Sequence, residues 1–239
     1  GSTSLLMASY RGHVEVCKYL LMDASADVKA TDNDHNNSLH LASVGGHLET
    51  VKFLLTETSM DLELPGDSGA TSLLIAAYHG HSTVVKYLLL EARANSMATN
   101  DDLHTSLHVA SAGGHLEIAK FLVTETGMDA ELLGKTGETA LLVAAHTGHP
   151  SVLKYLLLEA RADGMATNSD YYNSLHMASL GGHLDTVKFL VAEANFRLEA
   201  RSIHGTTALH AASISGHLDI VTYLLLQARA DVTASDFDA

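Results

Sequence analysis

Sixteen histidines in 239 residues are the first candidates for chemistry, because imidazole is both a metal ligand and an acid–base group near neutral pH. Seven follow a glycine, at His13, His47, His81, His115, His149, His183 and His217, each 34 residues after the last without slippage. Shared metal coordination puts ligands about 2 Å from one ion, whereas equivalent residues of stacked helical units lie roughly 10 Å apart. Four more, His40, His108, His176 and His210, recur inside one helical pattern, and five remain: His35, His79, His104, His146 and His204. These five are read as isolated side chains that could respond to pH, so no metal site is expected.

Other reactive patterns fail on context. Cys17 takes the register position of Val51, Val85, Ala119, Leu153, Val187 and Val221, which makes it a core thiol and not a nucleophile. The string GKTGET at Gly134 has part of a phosphate-loop pattern, but Asp129 stands where the first glycine is required. No G-x-S-x-G elbow, H-E-x-x-H pair or dinucleotide fingerprint occurs, so neither a catalytic residue nor a cofactor is expected.

The elements that position the histidines repeat with them. Ahead of each Gly-His comes a short apolar pattern: TSLLMAS, NSLHLAS, TSLLIAA, TSLHVAS, TALLVAA, NSLHMAS and TALHAAS. Its opening Thr or Asn is a helix N-cap type whose side-chain oxygen accepts an otherwise unpaired N–H. A second apolar pattern follows, as in LETVKFLL and STVVKYLLL, and the glycine breaks the chain between two antiparallel helices. Stretches such as MDLELPGDSGA and ANSMATNDDLH, rich in Gly, Asn, Asp and Ser, predict turn-like fingers between hairpins. A further order has period 68: Gly45-Gly46, Gly113-Gly114 and Gly181-Gly182 mark even repeats, and LLLEAR at Leu88 and Leu156 marks odd ones.

The segment TALHAASISGHLDIVTYLLLQARADV resembles the ankyrin repeat, whose helical hairpin carries a T-P-L-H segment, a Gly-His turn and a G-A-D segment. The resemblance covers residues 1–239 as one domain of seven periods and implies an all-α solenoid of helical hairpins linked by β-turn-like fingers. It also implies that the Gly-His histidines, with His40, His108, His176 and His210, bond the neighbouring turn and loop. The chain departs from the family in its 34-residue period, where about 33 is usual. Ser or Ala replaces the first-helix proline throughout. The family's glycine after the second helix survives only as Gly127, with Ser25, Ser59, Arg93, Arg161, Asn195 and Arg229 elsewhere. A left-handed cap would cost an arginine about 1 kcal/mol or more, so a different loop geometry is expected there. Gly1 shares the phase of Gly69, Gly137 and Gly205, and Leu224, Leu225 and Leu226 offer no polar cap, so the chain is expected to belong to a longer array. Its apolar ends would then allow self-association end to end.

Charge decides between classes of partner. A net charge of −14 argues against nucleic acid or an anionic membrane, and no apolar run approaches the length of a membrane span. The single cysteine suits a reducing, intracellular, cytoplasmic setting. Lys18, Lys52, Lys86, Lys120, Lys154 and Lys188 share one second-helix position and read as a solvated outer face. The fingers carry Asp32, Asp34, Asp67, Asp101, Asp102, Glu138 and Asp170 against Lys29, Lys135 and Arg201, which makes the groove edge acidic. First-helix positions just before Gly-His add Tyr10, Arg11, Val44, Tyr78, His79, His146, Thr147, Leu180 and Ile214. With His104, Tyr172 and His204, the acidic fingers and the Tyr/His ladder form the candidate contact surface for a Lys/Arg-bearing protein or peptide. The expected role is thus an interaction scaffold; the competing one is an architectural spacer or spring.

Overall fold

Residues 1–237 are described in the computed structural model. They form seven helical hairpins in chain order: α1 Ser4–Tyr10 with α2 Val14–Met22, α3 Ser38–Gly45 with α4 Leu48–Glu57, and α5 Ser72–Tyr78 with α6 Ser82–Leu90. There follow α7 Ser106–Ala112 with α8 Leu116–Thr124, and α9 Ala140–Thr147 with α10 Pro150–Lys154. α11 Ser174–Gly181 with α12 Leu184–Ala192, and α13 Ala208–Ile214 with α14 Leu218–Leu226, complete the array. No strand occurs among the described residues. The Thr or Asn opening each first helix holds the N-cap position in extended backbone, and Asn37 and Asn173 each accept two N–H bonds of the first turn.

One core runs the length of the array because every hairpin contributes the same positions. Leu39, Leu73, Leu107, Leu141 and Leu175 of the first helices and Leu54, Leu88, Leu122, Leu156, Leu190 and Leu224 of the second are at most 1% exposed. Each such side chain is worth about 2 kcal/mol of burial, and because every first helix packs on the first helices of its neighbours as well as on its own second helix, a hairpin alone leaves part of that surface exposed. Cys17 lies in this core, fully buried, and burial pushes its thiol up, as a core thiol requires.

The loop after each second helix does not take the different geometry expected of it. Ser25, Arg93, Arg161, Asn195 and Arg229 all keep the left-handed conformation, with φ between 54° and 67°, beside Gly127 at 69°; among the replaced positions only Ser59 departs. The extra residue of the 34-residue period therefore leaves the cap in place, and the array accepts the backbone strain to preserve it. At α10 the chain continues into a π-helical turn, Tyr155–Glu159, in which the Ala160 N–H reaches the Tyr155 carbonyl at 2.9 Å.

Buried serine hydroxyls are a second small cost. Ser43, Ser111 and Ser179 share one first-helix position and have no hydrogen-bond partner among the described residues, whereas Ala77 and Ala145 fill the same position in the third and fifth hairpins. Ser111→Ala and Ser179→Ala are each expected to stabilise the array by about 1 kcal/mol, because an unpaired buried hydroxyl is removed without opening a cavity. Chemical denaturation measures this, and a loss of stability would contradict it.

Candidate functional site

The Gly-His turns form a ladder that runs from hairpin to hairpin. His47 donates through Nε2 to the Tyr10 carbonyl, His81 to Val44, His115 to Tyr78, His149 to Ala112, His183 to His146 and His217 to Leu180, at 2.7–3.0 Å. Each acceptor lies 37 residues before its histidine. The rings lie flat on the glycines of the preceding turn, which have φ of 71–82° from Gly12 to Gly182. A Cβ on Gly80 would come within 2.5 Å of the His115 ring, so glycine is required by both φ and space.

A second ladder joins the fingers. The N–H of Asp101, Lys135, Ser169, Ile203 and Phe237 donates to the carbonyl of Ser68, Asp102, Thr136, Asp170 and His204 respectively, at 2.8–3.0 Å. First-helix histidines brace the same fingers. His40 accepts the Asn37 N–H at Nδ1 and donates from Nε2 to the Leu64 carbonyl, and His108 bonds Thr105 and the Glu138 carbonyl in the same way. Burial lowers the pKa of His40, His108 and His176, and with His104 nearby His108 falls to about 4. These imidazoles are neutral structural groups, which agrees with the role that the family resemblance assigned them.

Five of the expected contact residues meet in one place. Asp67, Tyr78, His79, Asp102 and His104 line a concavity of about 540 Å³ between the fingers and first helices of the third and fourth hairpins. Its floor is Val44, Leu74, Ile75, Val109 and Ala112. Tyr78 is 51% exposed and stands edge-on to the His79 ring, whose centroid is 5.3 Å away. Burial lowers the His79 pKa, with His81 and His115 adding to the effect. Ile75 and Val109 were not singled out, although their register recurs as Met7, Leu41, Val143 and Met177, an apolar position that is buried at Val109 and Val143 and partly or fully exposed at the other four.

The other expected contacts lie apart from this concavity or are engaged internally. Tyr10 and Arg11 are exposed in the first hairpin with the guanidinium 5.5 Å from the ring centroid, while Asp34, Asp101, His146, Asp170 and His204 are exposed elsewhere. Tyr172 and Leu180 are half-buried. Glu138 is a correction: it is 9% exposed and no part of an open acidic edge. Its Oε1 accepts from His104 Nε2 at 2.6 Å, and its Oε2 accepts from the Thr136 N–H and hydroxyl. Burial alone would raise the Glu138 carboxyl; the bonds from Thr136 and His104 outweigh it and hold it below the ordinary range. His104 is likewise no isolated side chain, since it stacks on His108 with ring centroids 5.1 Å apart. The two histidines are spent on Glu138 and its backbone, and no group of three metal-ligating side chains converges among the described residues.

The lysine row is also more than a solvated face. Lys18, Lys52, Lys86, Lys120 and Lys154 lie over Phe53, Tyr87, Phe121, Tyr155 and Phe189 of the next hairpin, 4.5–6.0 Å from the ring centroids. Each contact is worth about 0.5–1 kcal/mol at such exposed sites. The Lys-Tyr and Lys-Phe dipeptides that recur every 34 residues were the available signal.

The family model described as ankyrin repeats matches in three copies, over residues 5–101, 73–168 and 162–236. No curated protein matches the chain. Ankyrin repeats are in general protein–protein interaction modules, and proteins built from them are typically non-enzymatic binding scaffolds. No helix among the described residues is long and apolar enough to cross a membrane.

The buried histidines set an acid limit on this scaffold. A folded pKa below the unfolded value means that stability is complete above about pH 6.5 and is lost as the pH falls toward the folded value. For His108, whose pKa drops from 6.5 to about 4, the full loss is on the order of 3 kcal/mol. The melting temperature is expected to fall between neutral pH and pH about 4.5, and His108→Gln to be less stable at neutral pH but with a shallower decline. Parallel slopes for the two proteins would remove His108 from the account.

Proposed function

The chain belongs to the ankyrin-repeat family, and from that premise we propose that its finger-side groove holds a partner protein segment bearing Lys or Arg. The observation that carries this reading is the 540 Å³ concavity, where the ring of Tyr78 and an apolar floor lie beside the carboxylates of Asp67 and Asp102. A lysine or arginine side chain laid there buries its aliphatic stem on Ile75 and Val109 and brings its charge to the carboxylates, with Tyr78 available for a cation–π contact. Exposed Asp34, Asp101 and Asp170 extend the negative field along the fingers, which favours rapid encounter with a basic segment at low ionic strength.

One observation favours a second role, as a spacer. The Gly-His bonds recur at six junctions, so the array transmits a load along its axis through equivalent links. Recognition remains the better reading, because a spacer does not call for an aromatic side chain beside two carboxylates in one concavity.

Capture of partners from cell extract by the parent chain and by a Tyr78→Ala, Asp67→Asn, Asp102→Asn variant tests the proposal. The parent is expected to retain a basic partner at low salt and to release it as salt rises, and the variant to bind at least about tenfold more weakly, a difference of about 1.4 kcal/mol. Binding that strengthens with salt, or equal capture by two folded proteins, would overturn the electrostatic reading.

A further inference from the structure

The two-repeat period has a physical counterpart at the edge of the array away from the groove. Glu63 Oε1 accepts the N–H of Asn95, Glu131 that of Asp163, and Glu199 that of Asp231, at 2.8–2.9 Å. These carboxylates staple each even hairpin to the odd one that follows. At the alternate junctions the same register position holds Lys29, Met97 and Met165, and the N–H groups of Asp61, Asp129 and Arg197 have no acceptor among the described residues. The place of a carboxylate is therefore vacated at every second junction.

At the junction of the fifth and sixth hairpins the vacated place opens into a crevice of about 420 Å³. Its walls are Leu157, Leu158, Met165 and Phe196, with Arg197 and Glu193 at the rim. Leu158 is 61% exposed and Met165 71% exposed. Gly164 faces Leu157 and Phe196 with no side chain of its own between them, and the walls at Leu157 and Leu158 belong to the turn Tyr155–Glu159 that ends the second helix. The residue carrying the open N–H is aspartate at 61 and 129 but arginine at 197. Glu131 and Glu199 reach their N–H groups despite the carboxylates of Asp163 and Asp231 because the chain tethers them at high effective concentration. An untethered carboxylate lacks that advantage. At the first vacated place Lys29 shares its crevice with the carboxylate of Asp61, at the second neither Met97 nor Asp129 is cationic, and only at Arg197 does the residue that carries the open N–H also carry a cation.

We propose that this crevice docks a partner segment presenting a glutamate or aspartate beside an apolar side chain. The Arg197 N–H and guanidinium receive the carboxylate in the manner of the internal Glu63, Glu131 and Glu199 bonds, and Leu157, Leu158 and Phe196 receive the apolar group. This surface is separate from the groove and of opposite charge preference, so it stands or falls independently of the groove reading.

The test is titration of the isotope-labelled chain with a capped peptide containing a Phe-Glu pair and with its Phe-Gln counterpart, following backbone amides by NMR. The Arg197 amide is expected to shift saturably with the Glu peptide, with the Gln peptide about tenfold weaker, while the Asp61 and Asp129 amides stay in place. Met165→Glu supplies the missing carboxylate internally and is expected to raise the melting temperature and abolish the Arg197 response. Equal affinity for the two peptides, no saturable shift at Arg197, or an undiminished response in Met165→Glu would each overturn the proposal.

Discussion

The array depends on one repeated contact: an imidazole that lies on a glycine of the preceding turn and donates to a carbonyl 37 residues earlier. Both halves are needed. The glycine alone adopts the left-handed backbone at little cost and leaves room for the ring, and the ring alone can span to the carbonyl that ends the previous first helix. Because the bond joins neighbours only, it fixes spacing and rotation between hairpins locally, and the leucine core is then in register without any long-range instruction.

The two edges of the array follow from the same register. Residues facing the fingers are free of core duties, so they vary from repeat to repeat and create the concavity at Tyr78 and Asp102. Residues on the outer side are bound into inter-hairpin contacts, with five of the six lysines laid over the next hairpin's ring. Variation is tolerated where the backbone ladders already carry cohesion.

The period, the helix patterns and the core were legible in the sequence because each is stated seven times, and repetition makes a weak local signal strong. The acid and aromatic residues of the groove could be assigned to a face, and five of them do meet. Glu138 could not be separated from the other acids by type: it shares its register with His104 one repeat earlier, and only the 2.6 Å contact in the folded chain shows the two side chains bonded to each other. The left-handed arginines escaped for the opposite reason. Residue preference speaks against them, yet the loop closure around them is over-determined by neighbouring bonds, and the chain accepts the local cost.

Locality of the ladder also bears on how such a chain can change its length. Removing one whole period leaves every histidine facing an equivalent glycine and carbonyl, whereas removing a different number of residues misaligns all of them. Removing or adding two periods additionally keeps each glutamate staple opposite its N–H. Recombination between repeats is thus mechanically safe in steps of 34 residues and safest in steps of 68, and gene duplication can vary the reach of the array while its joints stay as they are.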